Sequence, residues 1–288
     1  MAQQNIGPGG KTKLLITPAL SDLIQSHNKY QANLSVWEKY IIFRYTLGST
    51  SVNSKLVGLS EMTKLIDWTL KFFQYYNYRH YGLNSIKAPF DQWTNYFINP
   101  NAYGSLPSNK KQYLANQVIT EFTKALQAII LKAPVTPGNI NVYKVSSYYP
   151  DLPQKLVGGD KIVAQKPFNS TTYDPTLNFI PFLGTDKSCC FFHIMIPKGS
   201  RVLAIDLSLH AYPHEREILL PFNSSFDITQ IGTDILNYIS PTDQKYLTVQ
   251  QYPLVFGEVF RLDPICLLNI RQLLIKTYFT HLISYTVK

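Results

Sequence analysis

The apolar pattern of the chain changes period once, near Pro134, and that change bounds the fold. Before it, apolar residues recur every three to four positions over long stretches. After it, short apolar runs alternate with turn residues, the signature of strands. A helical period does not settle into a strand, nor the reverse. Helices first and strands second predict an α+β fold rather than alternating βαβ units. Residues 1–12 read as a flexible polar tail broken by Gly7-Pro8-Gly9-Gly10. Residues 13–288 read as one domain, a helical part over 13–133 and a strand-rich core over 134–288.

The helical part has local signals. A helix is predicted over 35–47, with Ser35 as N-cap, Glu38 at the capping-box position, and Trp37, Tyr40, Ile41 and Tyr45 at helical spacing. A second begins near Ser51 and carries Val52, Leu56 and Val57. A third, over about 60–76, offers Met62, Leu65, Ile66, Trp68, Leu70 and Phe73 for burial. The Tyr-, Asn- and Pro-rich stretch 75–107 reads as an irregular insertion. A long helix over 109–131 carries the stripe Leu114, Val118, Phe122, Leu126 and Ile129. Strands are predicted over 141–146, 191–197, 201–206, 216–221, 225–231, 253–262 and 278–287.

Composition removes several classes of function. With 45% hydrophobic and 14% aromatic residues the chain has ample material for a packed core. A net charge of +9, from 27 basic and 18 acidic residues, favours anionic partners such as nucleotides. The basic residues are dispersed rather than blocked, which disfavours a nucleic-acid-binding face. Three cysteines, Cys189, Cys190 and Cys266, make neither a disulfide framework nor a zinc site, and Cys189-Cys190 reads as an apolar strand entry. No apolar run reaches the roughly 18 residues a membrane span needs, and the polar N-terminus shows no secretory h-region. The expectation is a soluble protein, intracellular or virus-encoded, or exported by a dedicated route.

Residues 210–221, HAYPHEREILLP, concentrate the chemistry. Ile218-Leu219-Leu220 reads as a buried strand, and Glu215 and Glu217 stand at its entry. Residues two apart in a strand share a face, roughly 7 Å apart. Both carboxylates are therefore expected on one face, with Arg216 on the other. The preceding loop, with Pro213 and Tyr212, suits an exposed, shaped lip.

Two further pieces accompany this one: Val142-Tyr143-Lys144 on the opening strand, and the hydroxyl cluster Phe168-Asn169-Ser170-Thr171-Thr172. Together the three resemble the arginine–serine–glutamate class of mono-ADP-ribosyltransferases, which includes the clostridial binary actin-modifying toxins and related vertebrate ecto-enzymes. Ile194 to Asp206 (IMIPKGSRVLAID) is similar to that family's strand, turn and strand. Tyr45-Thr46, Val52-Asn53 and Leu56 are similar to its helical signature. The resemblance covers residues 37–231. It implies a two-sheet β-sandwich core, NAD as substrate, no metal, and an arginine side chain of a protein as acceptor. It implies that Glu217 hydrogen-bonds the ribose 2′-hydroxyl, that Glu215 deprotonates the incoming guanidinium, and that Ser170 orients Glu217. It places Tyr143, Lys144 and Thr171 at the cofactor, with Thr171 and Thr172 securing strand and loop. It puts Tyr212 against the target protein. Phe179 or Phe182 would stack on the nicotinamide.

One position departs from the pattern. The first-strand arginine of the family is Lys144 here, a point charge on a flexible stem in place of a planar fork. A lysine still pairs with a pyrophosphate. A second reading follows from it: a catalytically weakened docking module with the same fold. Retention of Ser170, Glu215 and Glu217 together argues for the enzyme.

Overall fold

The computed structural model describes residues 16–78, 93–147, 162–165, 167–174, 189–234, 237–239, 246–248 and 252–260. The tail 1–12, Phe179, Phe182 and the strand expected over 278–287 lie outside the described residues.

Among the described residues, seven helices precede the strands. Helix α1 (Pro18–Ala32) starts at Thr17, whose hydroxyl accepts from the Leu20 amide, with Pro18 in the first turn. Helix α2 (Val36–Leu47) opens on a complete Ser35/Glu38 capping box, as its sequence requires. Helices α4 (Met62–Tyr78) and α7 (Ser108–Lys132) match the predicted spans within two residues at each end, and α3 (Thr50–Leu56) starts one residue from the expected Ser51. The stretch read as an irregular insertion holds α5 (Thr94–Ile98) and α6 (Pro100–Gly104). Each is only about a turn long. Buried aromatics hold them: Phe97 meets Phe73 edge-on at 4.9 Å and Tyr103 lies 5.5 Å from it. Tertiary packing overrides the poor local propensity of Tyr, Asn and Pro. Trp68, Phe72, Phe73 and Phe122 form the centre of this aromatic core.

Ten strands follow among the described residues: β1 (Ile140–Ser147), β2 (Ile162–Gln165), β3 (Asn169–Thr172), β4 (Cys189–Ile196), β5 (Leu203–Ala204), β6 (Glu217–Leu220), β7 (Ser224–Asp234), β8 (Asn237–Ile239), β9 (Tyr246–Thr248) and β10 (Tyr252–Phe260). Eight of them run β2-β7-β10-β4-β1-β3-β6-β5, while β8 and β9 pair separately. The α+β class is as expected. The two sheets of the expected sandwich are joined, however, in one hydrogen-bonded order. A five-strand part and the three-strand part β3-β6-β5 meet through a single register pair, Tyr143 with Thr172. β1 and β4 in contrast pair along their whole lengths, from Ile140–Ile196 to Ser147–Cys189.

The strand expected over 201–206 is shorter in the ladder because β5 is the edge. Side chains of α1 satisfy that edge. His27 Nδ1 accepts the Ala204 amide at 2.9 Å, Gln31 Nε2 donates to the Ala204 carbonyl at 2.8 Å, and Gln31 Oε1 accepts the Asp206 amide at 3.1 Å. The buried face of α1 thus supplies the partners that a further strand would have supplied. His27 Nε2 donates to the Pro134 carbonyl at 2.9 Å, and burial pushes its pKa down to about 4. Leu20 and Leu23 of α1 complete the contact by packing on Ile140, Ile194, Val202 and Ile218. This clamp fixes β5, and the Ile205 amide in turn donates to the carbonyl of Glu217 at 3.0 Å.

Candidate active site

The joint between the two parts of the sheet opens into a cavity of about 360 Å³. The end of α2 and the start of α3 line it with Tyr45, Thr46, Gly48 and Asn53. The sheet lines it with Tyr143 and Lys144 of β1 and with Phe168, Ser170, Thr171 and Thr172 at β3, and Tyr45 meets Phe168 with ring centroids 5.6 Å apart. Tyr212, Glu215 and Glu217 close the rim. The separated sequence pieces, including the helical Tyr45-Thr46 and Asn53, therefore share one cavity.

The two glutamates reach it by a route different from the strand geometry expected. Glu215 ends a 3-10 turn, Pro213–Glu215, and Arg216 adopts the left-handed conformation at φ 48°. Only Glu217 is in the strand, opposite Thr172. Pro213 fixes φ for the turn, so the chain enters β6 through a tight corner. The left-handed residue turns the Arg216 side chain out to Asp174, with Nη1 3.0 Å from Oδ2. Such a conformation costs an L-residue about 1–2 kcal/mol, and backbone strain of this kind concentrates at working sites.

The carboxylates converge on His210, whose side chain is fully buried. Its Nε2 lies 2.8 Å from Glu217 Oε2 and 3.8 Å from Glu215 Oε2. Its Nδ1 accepts the Tyr212 amide at 2.8 Å. Sequence reasoning passed over His210. The available signal was an imidazole in the loop immediately ahead of the glutamates, a short reach from both. Glu215 titrates up at about 7, first because it is buried, then because the Glu217 carboxylate is near, with His210 opposing. The Tyr45 hydroxyl is pushed well above its usual range by burial and then by the Glu217 charge.

Glu217 is 3% exposed. Its Oε2 is engaged by His210, while its Oε1 is a buried acceptor with no partner among the described residues. Asn53 Oδ1, on the same cavity's lining, is a second such acceptor, although Asn53 Nδ2 donates to the Tyr45 hydroxyl at 3.3 Å. The hydrogen bond expected from Ser170 to Glu217 is replaced by the one from His210. Ser170 is exposed on the cavity wall, in register with Leu219 rather than with Glu217. Thr171 donates its hydroxyl to the Ile218 carbonyl, tying β3 to β6. Thr172 accepts the Asp174 amide at 3.0 Å and so shapes the turn that follows.

Lys144 donates to Asn169 Oδ1, and Asn169 Nδ2 donates to the Pro167 carbonyl at 3.1 Å. Asn169 thus fixes the ammonium above the hydroxyl cluster. Desolvation lowers the Lys144 pKa to about 8. Tyr143 stacks on His193 of β4, with centroids 5.0 Å apart. Tyr212 is 43% exposed at the rim. Nitrogen and oxygen donors of His210, Glu215 and Glu217 lie within 4.8 Å of one another, the one cluster among the described residues with the spacing of cation ligands. Its donors are partly matched already, since His210 Nε2 is hydrogen-bonded to Glu217 Oε2.

No protein-family model matches the chain, and no curated protein matches it in sequence. Solved structures do. BECa, the ADP-ribosylating toxin of a Clostridium perfringens binary enterotoxin, aligns over 84% of this chain and 48% of its own, with a TM-score of 0.50 and 14% identity. Plx2a, an ADP-ribosyltransferase toxin from Paenibacillus larvae, aligns over 84% and 95%, at TM-score 0.48 and 14% identity. C3stau2 from S. aureus aligns over 84% and 96%, at TM-score 0.43 and 18% identity. The chain has the fold of the bacterial ADP-ribosyltransferase toxins. Among the described residues, no helix is long and apolar enough to cross a membrane.

Proposed function

We propose that the protein cleaves NAD and transfers ADP-ribose to an arginine side chain of a protein acceptor. The carrying observation is the Glu217 carboxylate, which lines the cavity, is buried, is held by one oxygen and is unmatched at the other. A buried acceptor calls for a donor, and the 2′-hydroxyl of a ribose is one. BECa, whose fold is shared, is an ADP-ribosylating toxin captured with NADH.

In the reaction the bond from ribose C1′ to the nicotinamide nitrogen breaks, and its electron pair leaves with nicotinamide. Positive charge develops on the ribose, as in glycoside hydrolysis. Glu217 stabilises that charge from a water-poor wall, where a fixed carboxylate is most effective. A guanidinium nitrogen then bonds to C1′ and gives up its proton to Glu215. A carboxyl that titrates near neutrality is matched to that task. Lys144 and Tyr143 hold the pyrophosphate side, Ser170 and Thr171 line the cofactor, and Tyr212 meets the acceptor. Phe179 or Phe182 supplies the aromatic face for nicotinamide.

Lys144 in place of the family arginine favours a second reading, a binding module of the same fold with weakened chemistry. One experiment separates the two. Protein is incubated with NAD carrying a label on the adenosine, with and without agmatine or an arginine-rich protein. Nicotinamide release together with a labelled guanidinium product supports the transferase. NAD binding without nicotinamide release supports the module.

A further inference from the structure

We propose that His210 is the positioning residue for Glu217, holding the carboxylate in the one orientation that leaves Oε1 for the ribose. The inference rests on the reading of Glu217 given above, and it deepens that reading by naming what makes the carboxylate effective.

The hydrogen-bond pattern determines the tautomer. The backbone amide of Tyr212 can only donate, so Nδ1 of His210, 2.8 Å away, accepts and carries no proton. The ring proton therefore sits on Nε2, which donates to Glu217 Oε2 at 2.8 Å. The same Nε2 lies 3.8 Å from Glu215 Oε2, so the donor stands between two carboxylates that would otherwise repel. The ring has little freedom to leave. Its side chain is fully buried, and the residue after it is tied to α2 through the Ala211 amide and Thr46 Oγ1, 2.9 Å apart. Leu209, on the other side, donates its amide to the Asp206 carbonyl at 2.9 Å. A rigid donor thus fixes a rigid acceptor, which is what a preformed electrostatic site requires. Ser170, in contrast, is exposed and engages no part of Glu217 among the described residues.

Two substitutions divide the ring into its halves. His210→Asn places an amide oxygen near the Nδ1 position, keeping the bond to Tyr212 and losing the one to Glu217. His210→Gln places an amide N–H near the Nε2 position, keeping the bond to Glu217. A loop-holding role predicts that Asn is the better replacement; a positioning role predicts Gln. The expected result for His210→Asn is a fall in kcat for NAD hydrolysis of roughly tenfold to a hundredfold, with KM for NAD little changed. His210→Gln should recover most of that loss, and thermal unfolding of both variants checks that they fold. A second readout needs no activity: nitrogen-15 spectra of the wild-type imidazole should show protonated Nε2 and bare Nδ1, with the Nε2 signal moving in Glu217→Gln. Wild-type kcat in His210→Asn, or an Nδ1-protonated ring, overturns the proposal alone. Failure of the wild-type protein to cleave NAD while the Nε2-protonated ring is intact overturns the functional reading beneath it.

Discussion

Thr46 Oγ1 accepts the amide of Ala211 at 2.9 Å, and this one contact ties the end of α2 to the loop that delivers both glutamates. The same hydroxyl donates to the Phe43 carbonyl at 2.9 Å, so it is oriented from its own helix. Thr46→Val keeps the shape and removes both bonds. The Ala211 amide then loses its partner, at a cost of about 1–3 kcal/mol. The expected outcome is a lowered Tm and a several-fold lower rate of NAD hydrolysis, with Thr46→Ser close to wild type on both. Equal rates in the valine variant would show that the loop holds its place without α2.

Glu217→Gln keeps size and removes charge. If the carboxylate stabilises a cationic ribose, nicotinamide release should fall by about two to three orders of magnitude, the scale seen when one preorganised stabilising group is lost. Stability should fall little, because the amide can still accept from His210. Nicotinamide release at the wild-type rate would remove Glu217 from the chemistry.

How far the sequence could carry these assignments depended on whether a signal was local. The Ser35/Glu38 capping box was readable because both partners lie within one turn. The long stripe of α7 was readable for the same reason. β3 was not, because Asn169-Ser170-Thr171-Thr172 has no apolar alternation; its strand conformation comes from pairing with β6. The short helices α5 and α6 depend on aromatic contacts with Phe73, far away in sequence. At the site, the residue types at Glu215, Glu217, Ser170 and Lys144 were legible, while their geometry was not. A two-residue spacing suggested a strand pair, but Pro213 and the left-handed Arg216 make a corner. His210 stood in plain view and lacked a pattern that would reveal its partner.

Lys144 offers a charge that pH can remove. Desolvation sets its pKa at about 8, so the ammonium persists at pH 7 and is mostly lost by pH 9. NAD affinity, measured by calorimetry, should therefore weaken between those two values. Lys144→Arg should bind as well or better and lose that pH dependence, since a guanidinium stays charged and grips phosphate by two parallel bonds. Lys144→Ala should bind more weakly at pH 7. Identical affinities for all three proteins would show that position 144 does not face the pyrophosphate.

His27 links acid stability to the edge strand. In the unfolded chain it takes a proton near 6.5; in the folded protein burial delays this to about 4. The unfolded state thus binds more protons between these values. The stability contributed by neutral His27 is complete above about pH 6.5 and is lost as pH falls to 4, an effect of about 3 kcal/mol. Urea unfolding at pH 7.5, 6 and 5 should show this slope. In His27→Leu the protein should be less stable at pH 7.5, since the Ala204 amide and Pro134 carbonyl lose a partner, but the slope should flatten. An unchanged slope would assign the acid sensitivity elsewhere.

Glu215→Gln should separate the two halves of the proposed reaction. In that proposal Glu217 acts on NAD, whereas Glu215 receives the proton of an acceptor that is always charged near neutral pH and is a poor nucleophile until it loses it. Water needs less help against a cation-like ribose, so NAD hydrolysis should persist in the variant while labelling of agmatine or protein falls sharply. In the wild-type protein, transfer should rise with pH through about 7 as the buried carboxyl ionises, and hydrolysis should follow a flatter course. The same shift has a sign in stability. The folded carboxyl titrates at about 7 against an ordinary 4.5, so the folded state holds its proton longer and loses stability as pH rises across that interval. Glu215→Gln removes this penalty. Its Tm relative to wild type should therefore improve from pH 4.5 to pH 8. Parallel decline of labelling and nicotinamide release would refute the division of labour between the two glutamates. A Tm difference that does not change with pH would instead show that Glu215 is ionised throughout and does not share its corner with Glu217 as the geometry has it.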